Sequence, residues 1–337
     1  MLTDITLKNF KAFEDETLEL GPLNILTGLN SSGKSSILQA LRLLDEGKAL
    51  SGLGPLGEYI RNGSSDLCIE CAKRHGKKNE KLRFSFDRKS KEISKGGRVG
   101  DIVSYISADR FGPKAVLQLN IDEDTQAVGS QGENIVDFLF QTEGLQVPLP
   151  LALNGAGLGW NIKEWLRTIS PGAEEFDYER NAQSLTGRTM FNKHRSVHVG
   201  FGLSYALPII ASALAHSAQA WQGGEGNSKS ALLLVENPEA HLHPSGQTMM
   251  GKLLSLSASC GLQIVAETHS DHLLNGVRLA VKDGLLPPSD VKVHFFKAGK
   301  EQAPTTVEQL AIDKYGMLDH WPDGFFDETE KNLMRLI

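Results

Sequence analysis

Cysteine is scarce: Cys68, Cys71 and Cys260 are the only three in 337 residues. Three thiols cannot build a disulfide framework. Met1-Leu2-Thr3-Asp4 also lacks the basic region and apolar core of a signal peptide, so a reducing, cytoplasmic setting is expected. Excess positive charge is missing too. The formal net charge is −6, which argues against holding nucleic acid by bulk electrostatics; such contact must come from a local basic patch or a partner. No stretch is read as approaching the roughly 20 apolar residues of a membrane span, so no membrane association is expected. Sustained heptads are absent, excluding a long coiled coil, and there are no internal repeats or low-complexity runs. What is present is ordinary for a globular chain, 40% hydrophobic and 23% charged. The length suits one large α/β domain or one domain with an inserted lobe.

The pattern along the chain alternates strand and helix signals. Ile5-Thr6-Leu7-Lys8-Asn9-Phe10 alternates like a half-buried strand, and Leu18 and Leu20 suggest its hairpin partner. Leu23 to Leu26 is a short apolar strand ending at Thr27-Gly28. In the helix that follows, Ile37, Leu38, Leu41 and Leu44 share one face. Ala49 to Gly63 is read as loop. Lys73 to Arg98 is rich in Lys77, Lys78, Lys81, Arg83, Arg88, Lys89, Lys91 and Lys95. It is read as a solvated hairpin, with a DNA-facing patch as the alternative. Cys68-x-x-Cys71 with His75 has zinc-like spacing, but on a strand residues three apart face opposite ways, so the strand reading is preferred. Ile102 to Ala108 is another strand, followed by Asp109-Arg110-Phe111-Gly112-Pro113. Short helices are expected at Asn134 to Phe140 and Asn161 to Arg167 within an otherwise irregular stretch. Ala231 to Val235 and Leu262 to Ala266 are continuous apolar runs, as in parallel strands buried on both faces. A helix from Ser245 to about Ser257 lies between them. Asp271 to Lys282 is helical, and Val291 to Phe296 is read as the last strand.

Gly28-Leu29-Asn30-Ser31-Ser32-Gly33-Lys34-Ser35 fits G-x-x-x-x-G-K-[ST] in full. Its glycines let the backbone curl so that successive N–H groups face a phosphate, and the helix starting near Lys34 aims its positive end at the same anion. ATP with Mg²⁺ is the expected ligand pair. Asn30, Ser31, Ser32, Gly33, Lys34, Ser35 and Ser36 are the candidate binding residues. Lys34 reaches the β- and γ-phosphates, and the Ser35 hydroxyl is a Mg²⁺ ligand.

A second set of residues follows the buried strands. Glu236 closes Leu232-Leu233-Leu234-Val235, at the strand end where ligands bind in open α/β sheets, and is the second candidate Mg²⁺ ligand. Asn237-Pro238-Glu239-Ala240-His241-Leu242-His243-Pro244 comes next. His241 and His243 are read as loop residues rather than a metal pair, for want of a carboxylate frame. His269, in Glu267-Thr268-His269-Ser270, falls where it can hydrogen-bond a γ-phosphate.

This order of motifs resembles the ABC-type P-loop ATPases of the RecF, SMC and overcoming-lysogenisation-defect group. The opening strand and the Gly28–Ser35 loop match that group's start. The Glu236–Pro244 run is similar to its Walker B and D-loop, Thr268-His269-Ser270 to its switch histidine, and Val199-Gly200-Phe201-Gly202-Leu203-Ser204 to a degenerate ABC signature. The resemblance implies an α/β fold: an ABC-type core of mixed sheet flanked by helices, with a small inserted lobe and a short C-terminal tail domain. The expected division is 1–113 and 199–297 for the core, 114–198 for the lobe and 298–337 for the tail. It also implies a homodimer or higher even-numbered oligomer with composite ATP sites, Ser204 touching the γ-phosphate in trans, and an ATP-gated role in a nucleic-acid transaction such as DNA repair or anti-phage defence.

One residue departs from the pattern. The position after the metal acid normally holds the general base, and here it is Asn237, whose amide accepts no proton at neutral pH. Glu239 or Glu236 then takes that role, with slow hydrolysis, and Glu236, Glu239 and His269 are the candidate catalytic residues. The competing reading is a non-hydrolysing ATP-binding module that restrains a toxic partner. A transporter motor is disfavoured because no Leu-Ser-Gly-Gly-Gln signature is present. A GTPase is disfavoured because Asn192-Lys193-His194-Arg195 fails the base-reading motif at its acid. About forty residues follow Phe296 without the acids of a two-metal nuclease, so a nuclease or effector is expected as a separate partner, with DNA as a possible second one. The aromatic tail His320 to Asp327 reads equally as a plug on the core or a docking segment.

Overall fold

The computed structural model describes residues 1–76, 78–120, 126–221, 229–299, 303–322, 324–326 and 328–336. Lys77, Asp323 and Asp327, named above, lie outside the described residues, as does the His75 side chain. In chain order the strands are β1 (Leu2–Phe10), β2 (Phe13–Glu19), β3 (Leu23–Gly28), β4 (Asp66–His75), β5 (Lys78–Asp87), β6 (Ile93–Gly96), β7 (Ile102–Ile106), β8 (Leu117–Gln118), β9 (Phe176–Asn181), β10 (Thr186–Phe191), β11 (His194–Arg195), β12 (Ala231–Glu236), β13 (Leu262–Glu267), β14 (Val291–Lys297) and β15 (Thr306–Leu310). The helices are α1 (Lys34–Glu46), α2 (Ile135–Thr142), α3 (Leu158–Ile169), α4 (Phe201–Trp221), α5 (Pro244–Ser259), α6 (Asp271–Lys282) and α7 (Glu328–Leu336). The chain forms two compact units, residues 1–99 with 287–337, and residues 100–286.

In the first unit, β2-β1-β4-β5-β6 make an antiparallel sheet. The charged stretch is therefore a three-stranded meander with its side chains largely in solvent. On β4 the inward residues are Leu67, Ile69 and Cys71, while Cys68 belongs to the opposite face. Burial raises the Cys71 thiol to about 12, so it stays protonated. A separate set of strands joins β3 parallel to β14, with β15 antiparallel on the other side of β14. Leu23, Ile25 and Leu26 of β3 and Ile37, Leu38, Leu41 and Leu44 of α1 are buried. Each such side chain contributes about 1.5–3 kcal/mol of transfer free energy, enough to fix where α1 begins.

Val291 to Phe296 is not the last strand. β15 follows it, paired from Val293↔Leu310 to Lys297↔Thr306. It is an edge strand whose only buried residue is Leu310, so its apolar alternation is too sparse to be seen. Likewise, Ala49 to Gly63 is not all loop, because a 3₁₀ turn at Leu56–Tyr59 buries the Tyr59 ring against Phe10.

In the second unit, β12 lies between β13 and β7, parallel to both. Continuous burial from Ala231 to Val235 and Leu262 to Glu267 fits strands covered on both faces. The stretch after Lys114 is more regular than its sequence suggests. Around α2 and α3 it holds a small antiparallel sheet, with β10 pairing β8, β9 and β11. Two of those strands are only two residues long, too short for any periodicity to show. Asp137 of α2 is buried there and is satisfied by Arg180 Nε at 3.0 Å and the Asn120 N–H at 2.8 Å.

The expectation that no stretch approaches a membrane span fails at α4. This 21-residue helix, with mean hydropathy 1.3 over an 18-residue window, is long and apolar enough to cross one. Its residues from Ala206 to Ala218 are all buried within the unit, where α3, α5, β7, β12 and β13 pack on it. A helix apolar on every side is what a surrounded core helix requires.

Candidate functional site

The phosphate loop belongs wholly to the first unit. β3 delivers it and α1 leaves it, as the motif predicts. Gly28 has φ 136°, and a Cβ there would lie 2.4 Å from the Phe296 carbonyl oxygen of β14, so no other residue fits. Ser31 has φ 60° and Gly33 φ 97°, so the chain curls twice within three residues. Gly33 is the N-cap of α1, and no side chain caps the helix or places an acid in its first turn. No side chain thus competes with an outside anion at the start of this 13-residue helix. Lys34 is buried and donates to the carbonyls of Gly28 at 3.1 Å and Leu29 at 2.7 Å. The Ser32 hydroxyl donates to the Leu29 carbonyl at 2.7 Å. Asn30 and Ser31 are exposed, Ser35 is half-buried, and Ser36 is buried with its N–H on Gly33 O at 3.0 Å.

The second unit builds a cluster of acids at the ends of β12 and β13. Glu236 accepts from the Tyr105 hydroxyl at 2.9 Å through one carboxylate oxygen and from the Ala108 N–H at 3.1 Å through the other. Each oxygen keeps a lone pair for a hard cation or a water. The Asn237 N–H bonds the Glu267 carbonyl at 2.8 Å, tying the turn to the neighbouring strand. Asn237 is left-handed at φ 45°, and its side-chain oxygen is buried without a partner among the described residues. Glu239 accepts the His269 N–H at 2.8 Å. Its second oxygen is buried without a hydrogen-bond partner among the described residues, and burial raises its pKa above the usual carboxylate range.

Of the histidines, His269 presents an exposed side chain. His243 caps α5, its ring accepting from the Ser245 hydroxyl or main chain, and His241 meets Tyr205 edge-on with centroids 4.6 Å apart. No cluster of His, Cys, Asp and Glu able to hold a metal occurs among the described residues. Ser204 lies in the first turn of α4, its hydroxyl buried without a partner among the described residues.

The chain matches a family described as AAA ATPase domain over residues 1–146 and 161–274, more than half its length. It belongs to that family. Its similarities run to the RecF/SMC group of ABC-type P-loop ATPases. Residues 286–336 match a protein family of unknown function, DUF3696.

The DNA replication and repair protein RecF of Chlamydia trachomatis serovar D is 38% identical over 88 residues, 26% of this chain and 24% of that protein. RecF of Chlamydia muridarum is 38% identical over 128 residues, 38% of this chain and 34% of that protein. The chain thus spans only a quarter to a third of these relatives' length. An SMC head bound to the C-terminal winged-helix domain of ScpA superposes with a TM-score of 0.63 at 14% identity, covering 93% of this chain and 98% of that one. At that identity the likeness shows the fold: sheets flanked by helices, as in an SMC head.

Sequence reasoning passed over Tyr105, Ala108 and Arg110. Arg110 donates to the carbonyls of Glu236 and Asn237, both at 2.7 Å. The only signal was their position just after a buried strand, where ligand-side residues collect.

Proposed function

We propose that this ATPase-family chain binds ATP with Mg²⁺ and hydrolyses it, using the bound nucleotide to hold two copies together during a nucleic-acid transaction. The observation that carries this reading is the uncapped start of α1, framed by the left-handed Ser31 and Gly33. A helix N-terminus left without a side-chain cap beside a buried lysine is suited to a polyphosphate. Backbone N–H groups and Lys34 bind the phosphates, with Asn30, Ser31, Ser32, Gly33 and Ser36 shaping the cradle.

Ser35 and Glu236 would hold Mg²⁺, and their oxygen donors fit a hard cation. When bound, the ion supplies charge neutralisation at the β- and γ-phosphates. Glu239 is the base that orients and deprotonates water. Its unpartnered, buried oxygen and raised pKa suit a proton acceptor. His269, fixed through its backbone to Glu239, reaches the γ-phosphate, and Ser204 offers a second copy's nucleotide a hydroxyl.

The lobe is assigned to 114–198, inserted in a core of 1–113 and 199–297, with 298–337 as the tail. The protein acts in the cytoplasm, and a separate nuclease or effector and DNA are its partners, in repair or phage defence. The RecF proteins it resembles are replication and repair proteins. Purified protein should turn over ATP slowly and double its mass in light scattering when ATP is added. Absence of both nucleotide binding and mass change would remove the reading.

One observation favours a second reading. Asn237 stands where the base is normally carried and holds a left-handed turn. A chain that binds ATP and dimerises without turnover would be a regulatory clamp on a partner.

A further inference from the structure

Arg110 is 2% exposed, yet no carboxylate hydrogen-bonds its guanidinium among the described residues. It donates instead to three main-chain carbonyls: Ser107 at 3.0 Å, Glu236 at 2.7 Å and Asn237 at 2.7 Å. Glu236 ends β12, and Asn237 begins a turn in which Asn237 and His241 both have positive φ, 45° and 61°. Two left-handed non-glycine residues within five positions persist only where the surroundings hold them. A planar fork that grips consecutive carbonyls does so in a way that a single ammonium cannot.

The same guanidinium lies over a ring of another element. Its central carbon is 5.0 Å from the centroid of Tyr205, in the second turn of α4. The Tyr205 ring meets His241 edge-on at 4.6 Å, and Phe201 lies 5.6 Å from the same imidazole. The helix backbone closes on the turn as well. A Cβ on Gly202 would sit 2.6 Å from the His241 carbonyl oxygen, so α4 packs its main chain directly on the turn. Arg110 thus reaches both the turn after Glu236 and the helix that begins with the Ser204 segment. Burial lowers its pKa to about 10, which still leaves it charged at neutral pH. A buried cation aimed at backbone rather than at an acid is placed for geometry.

We propose that Arg110 is a positioning residue that locks the Asn237–His241 turn to the first turns of α4, so that Glu236, Glu239 and Ser204 shift as one body. This rests on the reading that these residues serve ATP turnover, although the lock itself does not.

The test uses the full chain and four variants: Arg110→Met, Arg110→Lys, Tyr205→Leu and Tyr205→Phe. Hydrogen exchange in nucleotide-free protein reads the lock directly. Tyr205→Leu should raise exchange in residues 236–243, and Arg110→Met should raise it in 199–208, each across the contact from its own position. Tyr205→Phe keeps the ring and should leave both segments at the wild-type level. Arg110→Lys keeps the charge but loses the fork, and should resemble Arg110→Met more than wild type.

In turnover, Arg110→Met should lower kcat roughly 10- to 100-fold, the scale of a misplaced catalytic group, with KM nearly unchanged. Exchange that rises only on the mutated side of the contact, with wild-type kcat, would overturn the proposal. Should Arg110→Met fail to fold, Tyr205→Leu and Arg110→Lys decide the same question. A wild-type chain without ATP turnover sinks the proposed function, while the exchange pattern still decides whether the lock exists.

Discussion

The phosphate loop and the acid cluster differ in how they are made. The first is a run of eight consecutive residues, Gly28 to Ser35, whose shape is set by the left-handed backbone at Gly28, Ser31 and Gly33. The second is assembled from Tyr105, Ala108, Arg110, Glu236, Asn237, Glu239 and His269, drawn from three stretches of the chain, and every one of its bonds has a side chain on one end. A backbone site depends on a few glycines and one helix start. A side-chain site depends on strand ends meeting and on every polar atom finding its partner. The loop should therefore fail abruptly when its lysine is lost, whereas the cluster should degrade in steps.

The sharpest break lies in the loop. Lys34→Ala removes a buried cation whose ammonium also ties the Gly28 and Leu29 carbonyls. ATP-dependent association should vanish, and turnover should drop to background, about 10³-fold or more. Calorimetric titration with ATP checks the first and phosphate release the second. Unchanged nucleotide binding in this variant would mean that the loop is not the site.

In the cluster, Glu239→Gln keeps the shape and the acceptor for the His269 N–H while removing the proton acceptor. Turnover should fall roughly 10²-fold with ATP binding retained. The pH profile gives the sign. A base must be ionised to act, and burial raises the pKa of Glu239. Wild-type kcat should therefore fall, as pH drops, at a value above the ordinary carboxylate range. The Gln variant should lose that limb. A variant with wild-type kcat assigns the base elsewhere and turns attention to Glu236.

The same contrast governs how much was legible in sequence. The loop, its strand and its helix could be read because their determinants are contiguous: Leu23 to Leu26 apolar, two glycines at fixed spacing, and a helical face from Ile37 to Leu44. β12, β13 and α6 were readable for a similar reason, as unbroken apolar runs or an amphipathic face. Arg110 was not, because nothing local distinguishes an arginine that grips a strand 126 residues away from one in solvent. β8 and β11 are too short for periodicity, and β15 buries too little. The helix opening at the Val199–Ser204 signature was expected, but not its apolar length: no Asp, Glu, Lys or Arg interrupts residues 201–221, a pattern that burial in a core and insertion in a membrane both produce.

Each unit also buries a neutral histidine, and acid should weaken both. His216 of α4 and His294 of β14 each have a pKa lowered to about 4 by burial. The unfolded imidazole takes up its proton first as pH falls. The stability is therefore full above about 6.5 and is lost progressively down to about 4, up to about 3 kcal/mol for each residue. Urea unfolding between pH 7 and 4.5 should show this loss. In a His216→Leu variant the part belonging to the second unit should flatten. A variant whose pH dependence matches wild type would place the acid sensitivity in carboxylates instead.

The smallest effect separates the two kinds of helix start. Ser270 caps α6, its hydroxyl accepting the Leu273 N–H at 2.9 Å, whereas α1 has no side-chain cap. Ser270→Ala should cost about 1 kcal/mol whether or not nucleotide is present. For α1 the missing cap is supplied by ligand, so ATP at about 100 times its Kd should add about 2.7 kcal/mol. Thermal melts of wild type and Ser270→Ala, each with and without ATP, should give two additive shifts if the cap takes no part in holding the nucleotide. An ATP shift that shrinks in Ser270→Ala would show that the cap at the end of β13 takes part in holding the nucleotide, and the separation between backbone-built and side-chain-built halves would have to be redrawn.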